Sequence, residues 1–210
     1  MSSYLAPRRD AEAEIEVKRS RFLCTVVRVE DEAAARAVVA RLRKEHWAAR
    51  HHCSAYVLGP DAAVERSSDD GEPAGTAGAP MLEVLRGQAV CDVVAVVSRW
   101  FGGTLLGAGG LVRAYGDAVR AGLDVAGTQR RDLLQELVLE LGHVDAGRIE
   151  GELRRRGITV LAVDHAEAVT LRLGAAPADV PRLHALVAEL TSGIAIATPA
   201  GERWVDSLGA

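Results

Sequence analysis

Val93-Val94-Ala95-Val96-Val97 is an unbroken apolar run of strand length, and it predicts a strand buried on both faces over Asp92–Ser98. Apolar positions resume at Leu111, Val112, Tyr115, Val119 and Leu123 with helical spacing, which predicts a helix from Gly110 to Leu123. Five glycines within nine residues lie between them: Gly102, Gly103, Gly107, Gly109 and Gly110. The stretch therefore reads strand, glycine loop, helix. Upstream, Glu14–Lys18 alternates in strand fashion and Phe22–Val29 continues it, a hairpin or a strand with a bulge. Met1–Asp10 reads as a loose arm or a first edge segment. Glu30-Asp31-Glu32 opens an alanine-rich helix that runs to His46, with acid at its start and Arg41, Arg43 and Lys44 at its end, as the helix dipole favours. His51–Leu58 is a strand entered through two histidines. Gly59–Pro80 reads as one long loop, and Pro80 opens a short helix that Gly87 closes.

The pattern stops and restarts near Gly127, which sets the domain boundary: residues 1–127, then 128–210. The second part reads as a strand over Leu133–Leu141, a helix over Val144–Arg156, strands at Ile158–Val163 and Ala168–Leu173, a helix over Ala178–Leu190, and a closing strand or two at Gly193–Thr198 and Trp204-Val205. That βαββαβ order is the ferredoxin-like split motif. The fold class expected is α+β.

The glycine loop carries the first candidate chemistry. Arg99 leaves the strand just before it and Arg113 sits in the first turn of the helix after it, so two guanidinium forks and the N–H groups of a helix start can favour an anion. The alternative is a tight loop whose glycines serve close packing and whose arginines pair with carboxylates. The spacing is neither a P-loop nor a dinucleotide fingerprint. The long loop adds Asp69, Asp70 and Glu72, which can hold Mg²⁺, act as a base, or simply be solvated and pair with Arg99 or Arg113; their order is not that of a calcium loop. His51 and Cys53 share one side of their strand and His52 cannot join them, so no metal set is assembled there. The cluster Arg154-Arg155-Arg156 is the most nucleic-acid-like feature of the second part, and also what a helix C-terminus prefers.

The net charge of −4 over 210 residues is spread as 16 basic against 17 acidic residues up to Gly127 and 9 against 12 beyond it. Neither half is basic, so a nucleic-acid role needs a local patch, and DNA is not expected. Three scattered cysteines, Cys24, Cys53 and Cys91, fit a reducing compartment rather than a disulfide framework. No signal peptide or membrane span is legible, so cytoplasm is expected, with no membrane partner and no cofactor.

Two motifs carry a resemblance. Arg99-Trp100-Phe101-Gly102-Gly103, continuing through Leu106-Gly107, Gly109-Gly110-Leu111 and Arg113-Ala114-Tyr115, resembles the signature of the IMPACT/YigZ family, as does Asp69-Asp70-Gly71-Glu72-Pro73-Ala74-Gly75-Thr76-Ala77-Gly78-Ala79-Pro80. The resemblance covers almost the whole chain. It implies a first domain similar to the ribosomal protein S5 domain 2-like fold, a second similar to a terminal domain of elongation factor G, and a link to translation and stress control. It also implies that the two motifs form one surface, but names no catalytic residue. The candidate surface then comprises Arg99, Gly102, Gly103, Gly107, Gly109, Gly110 and Arg113, with Asp69, Asp70, Glu72, Thr76, His51 and His52. Two functions are compatible with it, beside a purely structural reading in which the domains are a scaffold with no ligand. One is a regulatory binding protein contacting RNA, the ribosome or a translation factor. The other is an enzyme acting on a phosphorylated or nucleotide-like small molecule, with arginines and backbone holding the anion and the acidic loop holding Mg²⁺ or taking a proton.

Overall fold

The computed structural model describes residues 2–207. Along the chain run β1 (Ser3–Pro7), β2 (Ala11–Val17), β3 (Ser20–Arg28), α1 (Glu32–Glu45), β4 (His51–Leu58), β5 (Val64–Ser68), α2 (Gly78–Gly87), β6 (Val93–Trp100) and α3 (Ala108–Ala126). There follow β7 (Thr128–Leu141), α4 (His143–Arg155), β8 (Thr159–His165), β9 (Val169–Ala175), a single 3-10 turn at Pro177–Asp179, α5 (Val180–Thr191) and β10 (Thr198–Asp206). The architecture is α+β, and residues 3–131 and 132–207 form two compact units. No helix among the described residues is long and apolar enough to cross a membrane.

In the first unit β6 is the central strand of a sheet ordered β2-β3-β6-β4-β5, whose neighbours pair antiparallel throughout. Val93 to Val97 are fully buried because both faces are covered. Each buried valine contributes about 1.5–3 kcal/mol relative to an exposed one. On one face α1, capped by the Asp31 carboxylate accepting from Ala34 N at 2.7 Å, lays Ala35 and Leu42 over Val27, Tyr56, Val94 and Val96. On the other lie α2 and α3. There Tyr115 meets Phe22 edge to face at 5.3 Å, and Gly122 lets α3 approach so closely that a Cβ would sit 2.8 Å from Cys24 Sγ.

Four sequence expectations are corrected here. The segment 59–80 is not one loop: β5 forms within it, an edge strand on β4 with one apolar residue, Val64, whose polar run Glu65-Arg66-Ser67-Ser68 hides the strand pattern. β6 extends through Arg99 and Trp100, so Arg99 belongs to the strand. α3 begins at Ala108, so Gly109 and Gly110 are helical, the glycine loop ends at Gly107 with φ +75°, and Arg113 lies in the second turn rather than the first. Gly193–Ala197 is not strand; the last strand starts at Thr198.

The second unit runs β7-α4-β8-β9-α5-β10, with β9 between β7 and β8 and β10 on the other edge of β7. Its core gathers Leu137, Leu139, Ile149, Leu153, Leu171, Leu173 and Leu183 from the sheet and both helices. The pause expected around Thr128–Asp132 is the beginning of β7.

Candidate functional site

Strand register brings the site together. His51 on β4 and Phe22 on β3 both pair with Arg99 on β6, so the three side chains stand in a row on the face beneath α3. The loop 69–77 closes over them. Asp69 organises it, accepting from Gly75 N at 2.8 Å, Ala77 N at 3.0 Å and Gly78 N at 2.8 Å. Burial pushes the Asp69 carboxyl up, but the three N–H donors outweigh it and hold the group below the usual carboxylate range. Gly78 admits only glycine, since a Cβ would meet Ser68 N at 2.7 Å. Asp70, at φ +42°, accepts from His52 N at 2.6 Å and pairs with Arg43; its carbonyl receives His51 Nδ1–H at 2.8 Å. Thr76 Oγ donates to Pro73 O at 2.7 Å.

Glu72 turns inward. Its Oε1 lies 2.5 Å from Arg99 Nη1 and accepts from the Tyr115 hydroxyl at 2.8 Å, and the Arg99 and Glu72 side chains are 8% and 3% exposed. Cys53 Sγ lies 3.0 Å from Asp69 O and 3.2 Å from Tyr115 Oη. Burial first, then the neighbouring carboxylates, push the Cys53 thiol up to about 12 and outweigh the opposing Tyr115 contact. Covered in this way, the thiol is neutral. Burial likewise raises Tyr115, which stays protonated and donates to Glu72.

Outside this buried network opens a hollow of about 440 Å³ between Gly71–Pro73 and the stretch from Phe101 to Ala108. Arg50, His51 and Arg99 stand in its wall, with Leu105, Leu106 and Leu111. The 19-residue α3 starts at its edge: Gly107 supplies no capping side chain, the first turn holds no acid, and Leu111 N to Gly107 O at 2.9 Å is the first bond of the helix. The N–H groups before it carry the positive end of the dipole. Arg99 Nε, buried, has no hydrogen-bond partner.

Of the residues the sequence singled out, Arg99, Glu72, His51 and Gly107 line this hollow. Asp69, Asp70 and Thr76 shape the loop beside it. Gly102 is pinned to the β2–β3 turn, its N bonded to Ser20 Oγ at 3.1 Å, and a Cβ there would fall 2.0 Å from Arg19 C; Gly103 holds φ +85°. Gly109 and Gly110 lie within α3. Arg113 does not join Arg99: it folds back on Gly109 O at 3.2 Å and lines a separate hollow with Pro80, Glu83 and Arg120. The paired fork expected of the two arginines is therefore corrected, because helical phase turns position 113 away from the end of β6. His52 faces the opposite side of the sheet, its Nδ1 2.9 Å from Ser98 Oγ, and burial lowers its pKa. Sequence alone missed Arg50, which lies in a turn without a motif, and the role of Tyr115, which ends the motif that begins at Arg99 but reads as a helical apolar position. The register of β4, β6 and β3 was the missing signal.

Among the described residues no cluster of three or more His, Cys, Asp or Glu is able to hold a metal ion. The Arg154-Arg155-Arg156 cluster is spent on ion pairs, with Glu150 at 2.9 Å, Glu152 at 2.7 and 2.8 Å and Glu189 at 3.0 Å.

The Impact N-terminal domain family matches residues 18–123, which hold every residue of the hollow, and the family described as Domain of unknown function (DUF1949) matches residues 139–193. The chain belongs to the IMPACT family. Similar members are IMPACT family member YvyE of Bacillus subtilis, 39% identical over 92% of this chain and 89% of its own length, and IMPACT family member YigZ of Escherichia coli, 40% identical over 92% and 96%. A solved structure described as "Crystal structure of an hypothetical protein" superposes with a TM-score of 0.66 at 39% identity, covering 95% of this chain and 98% of its own. These IMPACT family relatives match both parts of the chain together.

Proposed function

We propose that this IMPACT family member is a translation-associated binding protein that contacts RNA, the ribosome or a translation factor through the end of its first unit, seating an anionic group of the partner in the hollow at the start of α3. The observation that carries this is the uncapped N-terminus of α3 opening beside Arg50, His51 and Arg99. The order of elements supports a ribosomal protein S5 domain 2-like first unit. The strand order β10-β7-β9-β8 supports a ferredoxin-like second unit similar to an elongation factor G terminal domain. Binding is favoured over turnover because each nearby carboxylate is already engaged: Asp69 by three N–H groups, Asp70 by His52 N and Arg43, Glu72 by Arg99 and Tyr115. Cytoplasm is the compartment this role requires.

Gradient co-sedimentation with ribosomes, repeated across salt concentrations, tests the reading. Ala108→Glu places a carboxylate at the start of α3, where the dipole stabilises it by about 0.3–1 kcal/mol while it occupies the place of an incoming anion. The expected result is co-migration at low salt that this variant abolishes without loss of thermal stability. Absence of wild-type co-migration at low salt sinks the proposal.

A further inference from the structure

Among the described residues two aromatic side chains are exposed, Trp47 at 81% and Phe101 at 45%, and both lie where β6 runs out. Three turns meet at that end. Arg21 lies across from Trp100 and holds its guanidinium 4.3 Å from the ring centroid; His46, at the end of α1, meets the same ring edge-on at 5.7 Å, with Trp47 next in the chain. The turn after α1 is tied down by Arg50 N to Arg99 O at 2.9 Å, and Gly102 is tied to Ser20 at the foot of the β2–β3 turn.

This end is also cationic. Lys18, Arg19 and Arg50 are exposed and have no ion-pair partner among the described residues, in contrast to the paired arginines of α4. Arg21 is engaged by Glu14 at 3.1 Å, an exposed pair of small worth, and Glu16 lies across the ladder from it. Lys18 and Arg19 form a two-residue hairpin turn with φ of +47° and +66°, closed by Val17 and Ser20. That geometry suits Asn-Gly, and here it carries two long cations instead.

We infer that this end of the sheet binds single-stranded RNA, stacking bases on Trp47 and Phe101 and running the phosphates over Lys18, Arg19 and Arg50 toward the hollow. Exposed ring faces interleaved with cations fit unstacked bases, whose faces a duplex would cover. An acidic peptide would use the cations and leave Trp47 idle. The inference rests on the proposed translation role for the choice of RNA, and it deepens that role by naming the ligand.

Fluorescence anisotropy of the full chain with a labelled oligouridine of about twelve nucleotides tests it, beside an RNA duplex of equal length and a polyglutamate competitor. With three phosphates neutralised, log K should fall against log salt with a slope of about −2. Trp47→Ala should weaken binding roughly tenfold or more, the loss of one stacked base. The double variant Lys18→Asn with Arg19→Gly should weaken it as well while raising the melting temperature, since its turn is better suited to the backbone. The inference is overturned by no binding at low salt, by variants that bind as the wild type does, by tighter binding to the duplex, or by displacement with polyglutamate at equal charge. Ribosome co-sedimentation kept by both variants alongside failed oligouridine binding rejects this inference and leaves the proposed function standing. Oligouridine binding without ribosome association keeps this inference and removes the ribosome as the partner of the proposed function.

Discussion

Glu72 and Arg99 form a buried ion pair, and in such a pair the loss of one partner matters more than the presence of both. Glu72→Ala strands the guanidinium beneath the loop and should cost about 3–5 kcal/mol in urea unfolding. Adding Arg99→Met to it should recover part of that loss, because the uncompensated charge goes with it. Asp69 offers a pH signature. Its carboxyl is held below its unfolded value of about 3.9, so its contribution is complete above that value and disappears as pH falls through the lower folded one. The stability gap between the wild type and Asp69→Asn should therefore be present at pH 7 and shrink as the pH is taken below about 3.9. Individual residues were legible where a single residue type meets the local need, as with Gly103 and Gly107, which hold positive φ in the loop after β6. Arg113 was misplaced because Leu111, Ala114 and Tyr115 set the buried side of α3 and position 113 lies off it. Tyr115 and Arg50 were overlooked because their roles come from neighbours distant in sequence.

Among the elements, β6 and α1 were readable because a doubly buried strand and an alanine-rich helix with acid at its start and base at its end leave strong patterns. β5 was not, since an edge strand held by backbone bonds to β4 needs little apolar content. Helical glycines show the same dependence on surroundings. A Cβ at Gly122 would lie 2.8 Å from Cys24 Sγ and 2.9 Å from Val26 Cγ2, so Gly122→Ala should destabilise the first unit by about 1–3 kcal/mol. Gly147 in α4 has nothing within 4 Å, so Gly147→Ala should stabilise the second unit by roughly 0.5–1 kcal/mol. Thermal melts of the two variants should move in opposite directions.

For the molecule as a whole, a net charge of −4 says little about where anions go, because the α4 arginines are cancelled locally while Lys18, Arg19 and Arg50 are not. Arg154→Ala combined with Arg155→Ala should leave ribosome co-sedimentation unchanged, a result that basic-run counting along the sequence would not anticipate. Cys24, Cys53 and Cys91 are all buried free thiols. Cys53 sits directly under the 69–77 loop, against Asp69 O and Tyr115 Oη. An alkylating reagent reaches that sulfur only when the loop lifts, so its labelling rate is a built-in clock for opening of the cover. An occupant seated against Glu72 and Pro73 should slow the clock, giving a readout that needs no knowledge of what the occupant is.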